Sequence, residues 1–114
     1  MKQVMERTVW IKACSVSDLA IGEIIEVPSA PLRIALYRLD DGFYATQNTC
    51  THAVASLADG YLDNDLVECP LHAAKFCVRT GAVMSLPATK ALAIFPVRVE
   101  DDDVYVGLAD VAVA

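Results

Sequence analysis

Two pairs of side chains that bind transition metals stand close together in this sequence. Cys50 and His52 have one residue between them, and Cys69 and His72 have two. The chain contains 4 Cys and 2 His, so both of its histidines lie within three residues of a cysteine. Thiolate and imidazole groups are common metal ligands. The spacing therefore indicates one metal centre that is built by both pairs.

Two kinds of metal centre use two thiolates and two imidazoles. A structural zinc ion takes four such ligands in tetrahedral geometry, although cysteine pairs on zinc usually leave at least two residues between ligands. A [2Fe–2S] cluster can instead bind two cysteines on one iron and two histidines on the other. Taken alone, the residues leave both alternatives open.

The pairs lie between short apolar runs that are typical of β-strands. No segment has the long 3.6-residue apolar period of an amphipathic helix, so the sequence predicts an all-β fold. The turn at 40–42 ends in Gly42, which supplies the positive φ of a tight hairpin. The predicted strands cover 9–14, 22–27, 32–39, 43–46, 66–68, 75–78, 82–84, 93–99 and 104–106.

Composition limits the function classes further. With 114 residues, 55% hydrophobic residues and a formal net charge of -6, the chain is expected to form a single domain, 1–114, that does not bind nucleic acid. Residues 1–8 are expected to be a loose leader. They lack the apolar core of a secretory signal, and no run could span a membrane, so we expect a cytoplasmic protein. Cys14 and Cys77 are interpreted as small apolar side chains.

The motif as a whole resembles that of Rieske-type ferredoxins. Cys50-Thr51-His52 and Cys69-Pro70-Leu71-His72 match the Rieske Cys-x-His and Cys-x-x-His pattern, and Phe76 to Gly81 resembles the segment that follows it. The resemblance implies antiparallel β-sandwich-like sheets with a small cluster-binding subdomain at about 47–81. It also implies one [2Fe–2S] cluster, with Cys50 and Cys69 on one iron and His52 and His72 on the other.

The nearest group within that family is the ferredoxin component of bacterial aromatic-ring-hydroxylating dioxygenases. The resemblance implies a soluble one-electron carrier between an NAD(P)H-dependent flavin reductase and a terminal Rieske non-haem iron oxygenase that acts on aromatic compounds. The chain itself is not expected to be an enzyme, because a mononuclear oxygenase iron needs two further histidines and a carboxylate. The alternatives are a Rieske-type small subunit of another reductase, such as nitrite reductase, and a zinc-stapled interaction module without a redox role.

Four positions around the motif predict a low reduction potential. High-potential Rieske proteins have a disulfide between the two cluster loops where this chain has Ala55 and Leu71, and hydroxyl donors where it has Ala74 and Phe76. A hydrogen bond to a cluster sulfur stabilises the reduced, more negative state. Without such donors, we expect a potential below about 0 mV on the Rieske scale.

The remaining expectations concern the surface. Ala53 stands where related ferredoxins often have glycine, so this position is expected to have an unusual backbone. Leu71, Ala53, Ala73 and Ala74 are interpreted as an apolar rim around the histidines, and the acidic run 100–103 as a solvated turn.

Overall fold

The computed structural model describes residues 6–28, 30–51, 55–71, 73–85 and 90–111. Short 3₁₀ helices lie at Val16–Asp18 and Leu57–Asp59, and no helix of the described part is long and apolar enough to cross a bilayer. The strands are β1 (Glu6–Ser15), β2 (Ile24–Glu26), β3 (Ile34–Leu39), β4 (Gly42–Gln47), β5 (Tyr61–Asp63), β6 (Leu66–Glu68), β7 (Lys75–Cys77), β8 (Ile94–Phe95), β9 (Val97–Glu100) and β10 (Asp103–Val111).

These strands pair into three antiparallel sheets, which confirms the predicted all-β fold. The strand orders are β1-β10-β9, β2-β3-β4-β8 and β5-β6-β7. The predicted hairpin between β3 and β4 is also confirmed, because Leu39 pairs with Gly42 and Gly42 has a φ of 153°. The third sheet lies inside the range 47–81, while the division into a subdomain stays a prediction.

Several sequence-based strand assignments are wrong. Strand β1 begins at Glu6, so residues 6–8 of the expected leader pair with the end of β10. Strand β5 was not predicted at all, and it is joined to β6 by a turn in which Asn64 has a φ of 55°. Asparagine tolerates this left-handed conformation better than most residues, which allows so short a hairpin.

The predicted strand 93–99 is two strands that belong to different sheets. Strand β8 pairs with β4, and β9 pairs with β10. Pro96 stands between them and has no N–H for a sheet ladder, so the chain changes sheets there. The predicted strand 82–84 is reduced to a single bridge between Phe76 and Val83.

Strand β3 separates two apolar cores. Side chains alternate across a strand, and accordingly Ala35, Tyr37 and Leu39 pack into one core while Ile34 and Leu36 pack into the other. The first core lies towards the third sheet and includes Cys50 and Cys69. The predicted metal-binding loops are therefore fixed to a packed core on their inner side.

Candidate metal centre

The two cysteine loops have the same backbone design. Strand β4 leads into the loop of Cys50, and β6 leads into the loop of Cys69. In each loop the cysteine N–H donates to the carbonyl of the fifth residue after it: Cys50 N to Ala55 O at 3.0 Å, and Cys69 N to Ala74 O at 2.7 Å. Each loop is thus closed at its base by its own cysteine, which sets both sulfur atoms at equivalent positions.

The side chains of Cys50 and Cys69 lie next to each other in the core. Both are buried, their thiols are hydrogen-bond partners, and neither takes part in a disulfide. Burial is the largest effect that raises the pKa of Cys69, and the neighbouring Cys50 thiol raises it further. The Leu71 N–H, which donates to the Cys69 sulfur, acts in the opposite direction.

This donor pair fits a metal centre that takes two thiolates. Two adjacent buried thiolates would repel each other, whereas a cation between them favours loss of both protons. Two cysteines in contact without a disulfide, at the bases of two equivalent loops, are therefore suited to a shared metal ion. The predicted partners His52 and His72 lie outside the described residues, and no group of three metal-binding side chains occurs within the described part of the chain.

Polar side chains that the sequence interpretation missed fix the first loop. Asn48 is fully buried, donates to Ser56 Oγ at 2.8 Å and accepts from the Ala58 N–H at 2.9 Å. Thr51 Oγ1 donates to the Lys90 carbonyl at 2.6 Å. The one available signal was the Asn that stands two residues before Cys50, since Asn favours turns where its side chain bonds to backbone.

A second clamp joins this loop to the segment before β8. The Gln47 side chain donates to the Thr49 carbonyl at 2.8 Å and accepts from the Ala93 N–H at 2.8 Å. The Gln47 N–H also donates to the Ala93 carbonyl at 2.9 Å. Residues 90–93 therefore lie beside the first loop through three direct hydrogen bonds, including that of Thr51.

The second loop departs from regular geometry after the histidine position. Ala73 has a φ of 58°, the left-handed region that costs a residue with a Cβ on the order of 1 kcal/mol. The corresponding expectation for Ala53 lies outside the described residues. Leu71 is 46% exposed and Ala73 is exposed, but Ala74 is fully buried, so the prediction that Ala74 belongs to an exposed rim is wrong.

The side chains at positions 74 and 76, on which the expected low reduction potential depends, lie in an apolar environment. Ala74 and Phe76 are fully buried in the same core cluster as the two cysteines, and neither offers a hydroxyl group. Cys14 and Cys77 are half-buried on other strands, and Cys14 packs against the second core. Burial, followed by the carboxylate of Asp18, raises the pKa of Cys14, so this thiol stays protonated at neutral pH.

Comparison with known proteins gives the same picture. The model of the Rieske [2Fe-2S] domain family matches residues 9–96. The biphenyl dioxygenase ferredoxin subunit of Pseudomonas sp. (strain KKS102) is 46% identical over 104 residues, which cover 90% of this chain and 95% of the relative.

Two solved structures have the same fold. A chain in the complex of reduced oxygenase and oxidized ferredoxin of carbazole 1,9a-dioxygenase superposes with a TM-score of 0.82 at 44% identity, covering 88% of this chain and 94% of that one. A protein described as a putative NADH-dependent nitrite reductase small subunit from Mycobacterium tuberculosis has a TM-score of 0.79 at 27% identity, with coverage of 94% and 99%.

Proposed function

Because this chain belongs to the Rieske [2Fe–2S] domain family, we propose that it is the ferredoxin component of an aromatic-ring-hydroxylating dioxygenase system. In that role it carries one electron at a time to a terminal oxygenase. The similar proteins are ferredoxin subunits, which are electron-transfer components of dioxygenase systems rather than catalytic enzymes. The aromatic substrate belongs to the oxygenase.

The cofactor is a Rieske-type [2Fe–2S] cluster, and the ligand set we propose for it is Cys50 and Cys69 on one iron with His52 and His72 on the other. When bound, a cluster of this type takes up and gives back one electron. The core side chains around Cys50 and Cys69 keep water from the sulfur atoms. The Leu71 N–H donates to the Cys69 sulfur and so favours the more negative state.

Family membership decides between the two metal centres that the residues left open. Zinc and a cluster could both use two cysteines and two histidines, but the family match over 9–96 is to a [2Fe–2S] domain. The zinc-stapled interaction module is therefore set aside. An iron protein of this type is coloured, whereas a zinc protein is colourless.

The remaining parts of the proposal concern the reductase partner, the domain organisation and the cellular compartment. We propose that the electron arrives from an NAD(P)H-dependent flavin reductase and that the chain works as a single domain, 1–114, in the cytoplasm. No cysteine of the chain forms a disulfide, which supports a reducing compartment. The acidic net charge of -6 supports the absence of a nucleic-acid partner.

The contact between Cys50 and Cys69 is the observation that carries the proposal, since it provides a thiolate pair at the bases of two equivalent loops. The test is stopped-flow mixing of the reduced holoprotein with the oxygenase component of a biphenyl dioxygenase. We expect the cluster to be reoxidised within seconds, as followed by its absorbance, with one electron delivered per chain. Absence of electron transfer from a fully reduced cluster would contradict the proposed role.

A nitrite reductase small subunit is the second candidate. It is supported by the structural similarity to the protein from Mycobacterium tuberculosis, at lower identity than the dioxygenase ferredoxins. The two roles differ in the partner that binds. Co-purification with a nitrite reductase large subunit, together with failure to reduce the oxygenase, would favour the second candidate.

A further inference from the structure

The strand directions give the molecule two ends with different loops. Strand β4 runs from the turn at 40–41 to the Cys50 loop, and β6 runs from the turn at 64–65 to the Cys69 loop. We call the end with the cysteine loops the loop end, and the end with these tight turns the turn end. The connections 16–23 and 100–103 also lie at the turn end, because Val16 N donates to Asp102 O at 2.7 Å and Arg38 N to Glu23 O at 3.1 Å.

The turn end carries most of the acidic side chains. The connections 16–23, 40–41 and 100–103 each contain at least two carboxylates, and the turn at 64–65 contains one, next to Asp63. The cations of the turn end form ion pairs, except for Arg38, which donates to the Val16 and Leu19 carbonyls. Lys12 pairs with Asp103 at 3.3 Å, and Arg98 pairs with Glu100 at 3.1 Å. Arg79 lies between two carboxylates of this end. The acidic residues of the turn end are Asp18, Glu23, Asp40, Asp41, Asp63, Asp65, Glu100, Asp101, Asp102 and Asp103.

The loop end has balanced charges by comparison. Glu26 and Arg33 form a salt bridge of 2.7 Å, and Asp59 lies close enough to Arg33 to raise its pKa slightly further. Glu68 pairs across the sheet with Lys75, which is exposed. Lys90 is exposed too, and its carbonyl holds the first loop through Thr51.

Two exposed apolar side chains also lie at the loop end, and one of them is next to Lys75. Leu71 in the second loop is 46% exposed, and Met84, whose N–H donates to the Lys75 carbonyl at 2.8 Å, is 54% exposed. Apart from His52 and His72, the internal residues outside the described ranges include no ionisable side chain. The net negative charge of this chain is therefore displaced from the surface through which the electron must pass.

We propose that this charge separation selects redox partners whose docking face is negatively charged. The inference rests on the proposed electron-carrier function and adds the chemistry of its partner. Lys75 and Lys90 attract an acidic face towards the loop end, and the carboxylates of the turn end oppose approach in the reversed orientation. Strand β4 has six residues and separates the turn at 40–41 from the Cys50 loop by about 20 Å, more than twice the Debye length of about 8 Å at physiological ionic strength. A partner close to the loop end is thus screened from the acidic turns and senses the lysines.

Small inorganic oxidants test the charge at the loop end without a protein partner. The dithionite-reduced holoprotein, freed of excess reductant, transfers one electron to ferricyanide, a trianion, or to tris(phenanthroline)cobalt(III), a trication. Two double variants are compared. The loop-end variant carries both Lys75→Gln and Lys90→Gln, and the matched turn-end variant carries both Lys12→Gln and Arg98→Gln. Both variants remove two positive charges, the first from the loop end and the second from the turn end.

The loop-end variant is expected to react about tenfold more slowly with ferricyanide at an ionic strength of about 0.1 M, and several-fold faster with the cobalt complex. The turn-end variant is expected to stay within about twofold of the wild type. At about 0.5 M salt, the three proteins should converge. Equal slowing by both variants, or rates that follow net charge alone, would overturn the inference.

The same experiment separates this inference from the proposed function. Iron and sulfide content and the EPR spectrum of each holoprotein are recorded before the rates are measured. Loss of the cluster from the wild type would overturn the proposed function and this inference with it. An intact cluster in all three proteins, combined with identical rates, would overturn the charge separation alone and leave the electron-carrier role standing.

Discussion

Cys50 and Cys69 are the residues on which the chemistry of this chain depends. Their thiols are buried and in contact, and burial raises the pKa of Cys69, so this thiol keeps its proton at neutral pH unless a metal replaces it. Cluster binding should consequently release protons. The contact pair was predictable from spacing, because two short Cys/His motifs at strand ends can converge on one centre.

Loss of one of these sulfur atoms should abolish the cluster. Cys69→Ser is expected to reduce bound iron and acid-labile sulfide to near zero, since the oxygen of serine is a poor replacement for a thiolate. His52→Ala or His72→Ala should lose the cluster or shift its spectrum. The control is Cys14→Ser, which lies in the other core and should retain the full spectrum. Cluster loss in Cys14→Ser would show that the ligand set is wrong.

The reduction potential is the second prediction at this scale. We expect protein-film voltammetry to give a value below about 0 mV, because Ala74 and Phe76 offer no hydroxyl to a sulfur atom. Ala74→Ser should raise the potential by about 60 mV, the equivalent of one hydrogen bond to a charged acceptor of about 1.4 kcal/mol. A wild-type potential above about +100 mV would contradict this interpretation.

At the level of elements, the two loops depend on hydrogen bonds that neighbouring segments provide. Asn48 joins the start of the first loop to Ser56 and Ala58, and Thr51 joins it to Lys90. Gly81 allows the chain after β7 to approach residue 92, since it has a φ of 80° and any Cβ there would collide with the Leu92 carbonyl. These contacts come from residues distant in sequence, so spacing alone could not reveal them.

Asn48→Ala is expected to destabilise the fold by about 2 kcal/mol, because it leaves the part-buried Ala58 N–H and Ser56 hydroxyl without their buried partner. Urea unfolding followed by circular dichroism measures the change. Cluster loss at elevated temperature should also be faster. Ser56→Ala is the control and removes only one of the two bonds, so its effect should be smaller. Equal stability of Asn48→Ala and wild type would contradict this role of Asn48.

Arg79 connects the second and third sheets at the turn end. It donates to Asp41 at 2.8 Å and to Tyr44 Oη at 2.6 Å, lies 3.4 Å from Asp65, and stacks 4.9 Å from the centre of the Tyr44 ring. The hydrogen bond from Arg79 is the main cause that lowers the pKa of Asp41. The stabilisation by this carboxylate is therefore complete above about pH 4 and is lost as the pH falls through its folded-state pKa.

Arg79→Gln is accordingly expected to unfold more easily than the wild type at pH 7, and the difference should shrink below about pH 4. Urea unfolding at several pH values measures both parts. Lys90→Gln serves as the control, because it removes one exposed positive charge and leaves the pair of Arg79 with Asp41 intact. A difference between wild type and Arg79→Gln that is independent of pH would show that the Asp41 pair does not contribute.

Most element types were predictable, and the exceptions have identifiable causes. β5 consists only of Tyr61–Asp63 and is formed by pairing with β6. So short a strand has no recognisable pattern of apolar residues in the sequence. Residues 93–99 have the composition of one strand, but Pro96 divides them between two sheets. The strand character of residues 6–8 depends on the distant β10. In each case, pairing between remote segments decided the outcome.

The whole molecule consists of three sheets around two cores, with the cysteine loops at one end and acidic turns at the other. A chain of 114 residues with two histidines provides one cluster site and no further histidine for a catalytic iron. This composition agrees with a carrier that serves a separate oxygenase. The net charge did not predict how charge is distributed over the surface, because only the fold shows that most carboxylates lie at the end opposite the cysteine loops.

EPR and pulsed ENDOR spectroscopy of the dithionite-reduced holoprotein, labelled with ¹⁵N-histidine, test the central claim most directly. The account predicts a spin-half signal from a reduced [2Fe–2S] cluster, with hyperfine coupling to nitrogen atoms of both His52 and His72. Iron and sulfide should each be present at about two per chain. A protein without sulfide or signal after anaerobic reconstitution, or a signal that ¹⁵N-histidine leaves unchanged, would contradict it.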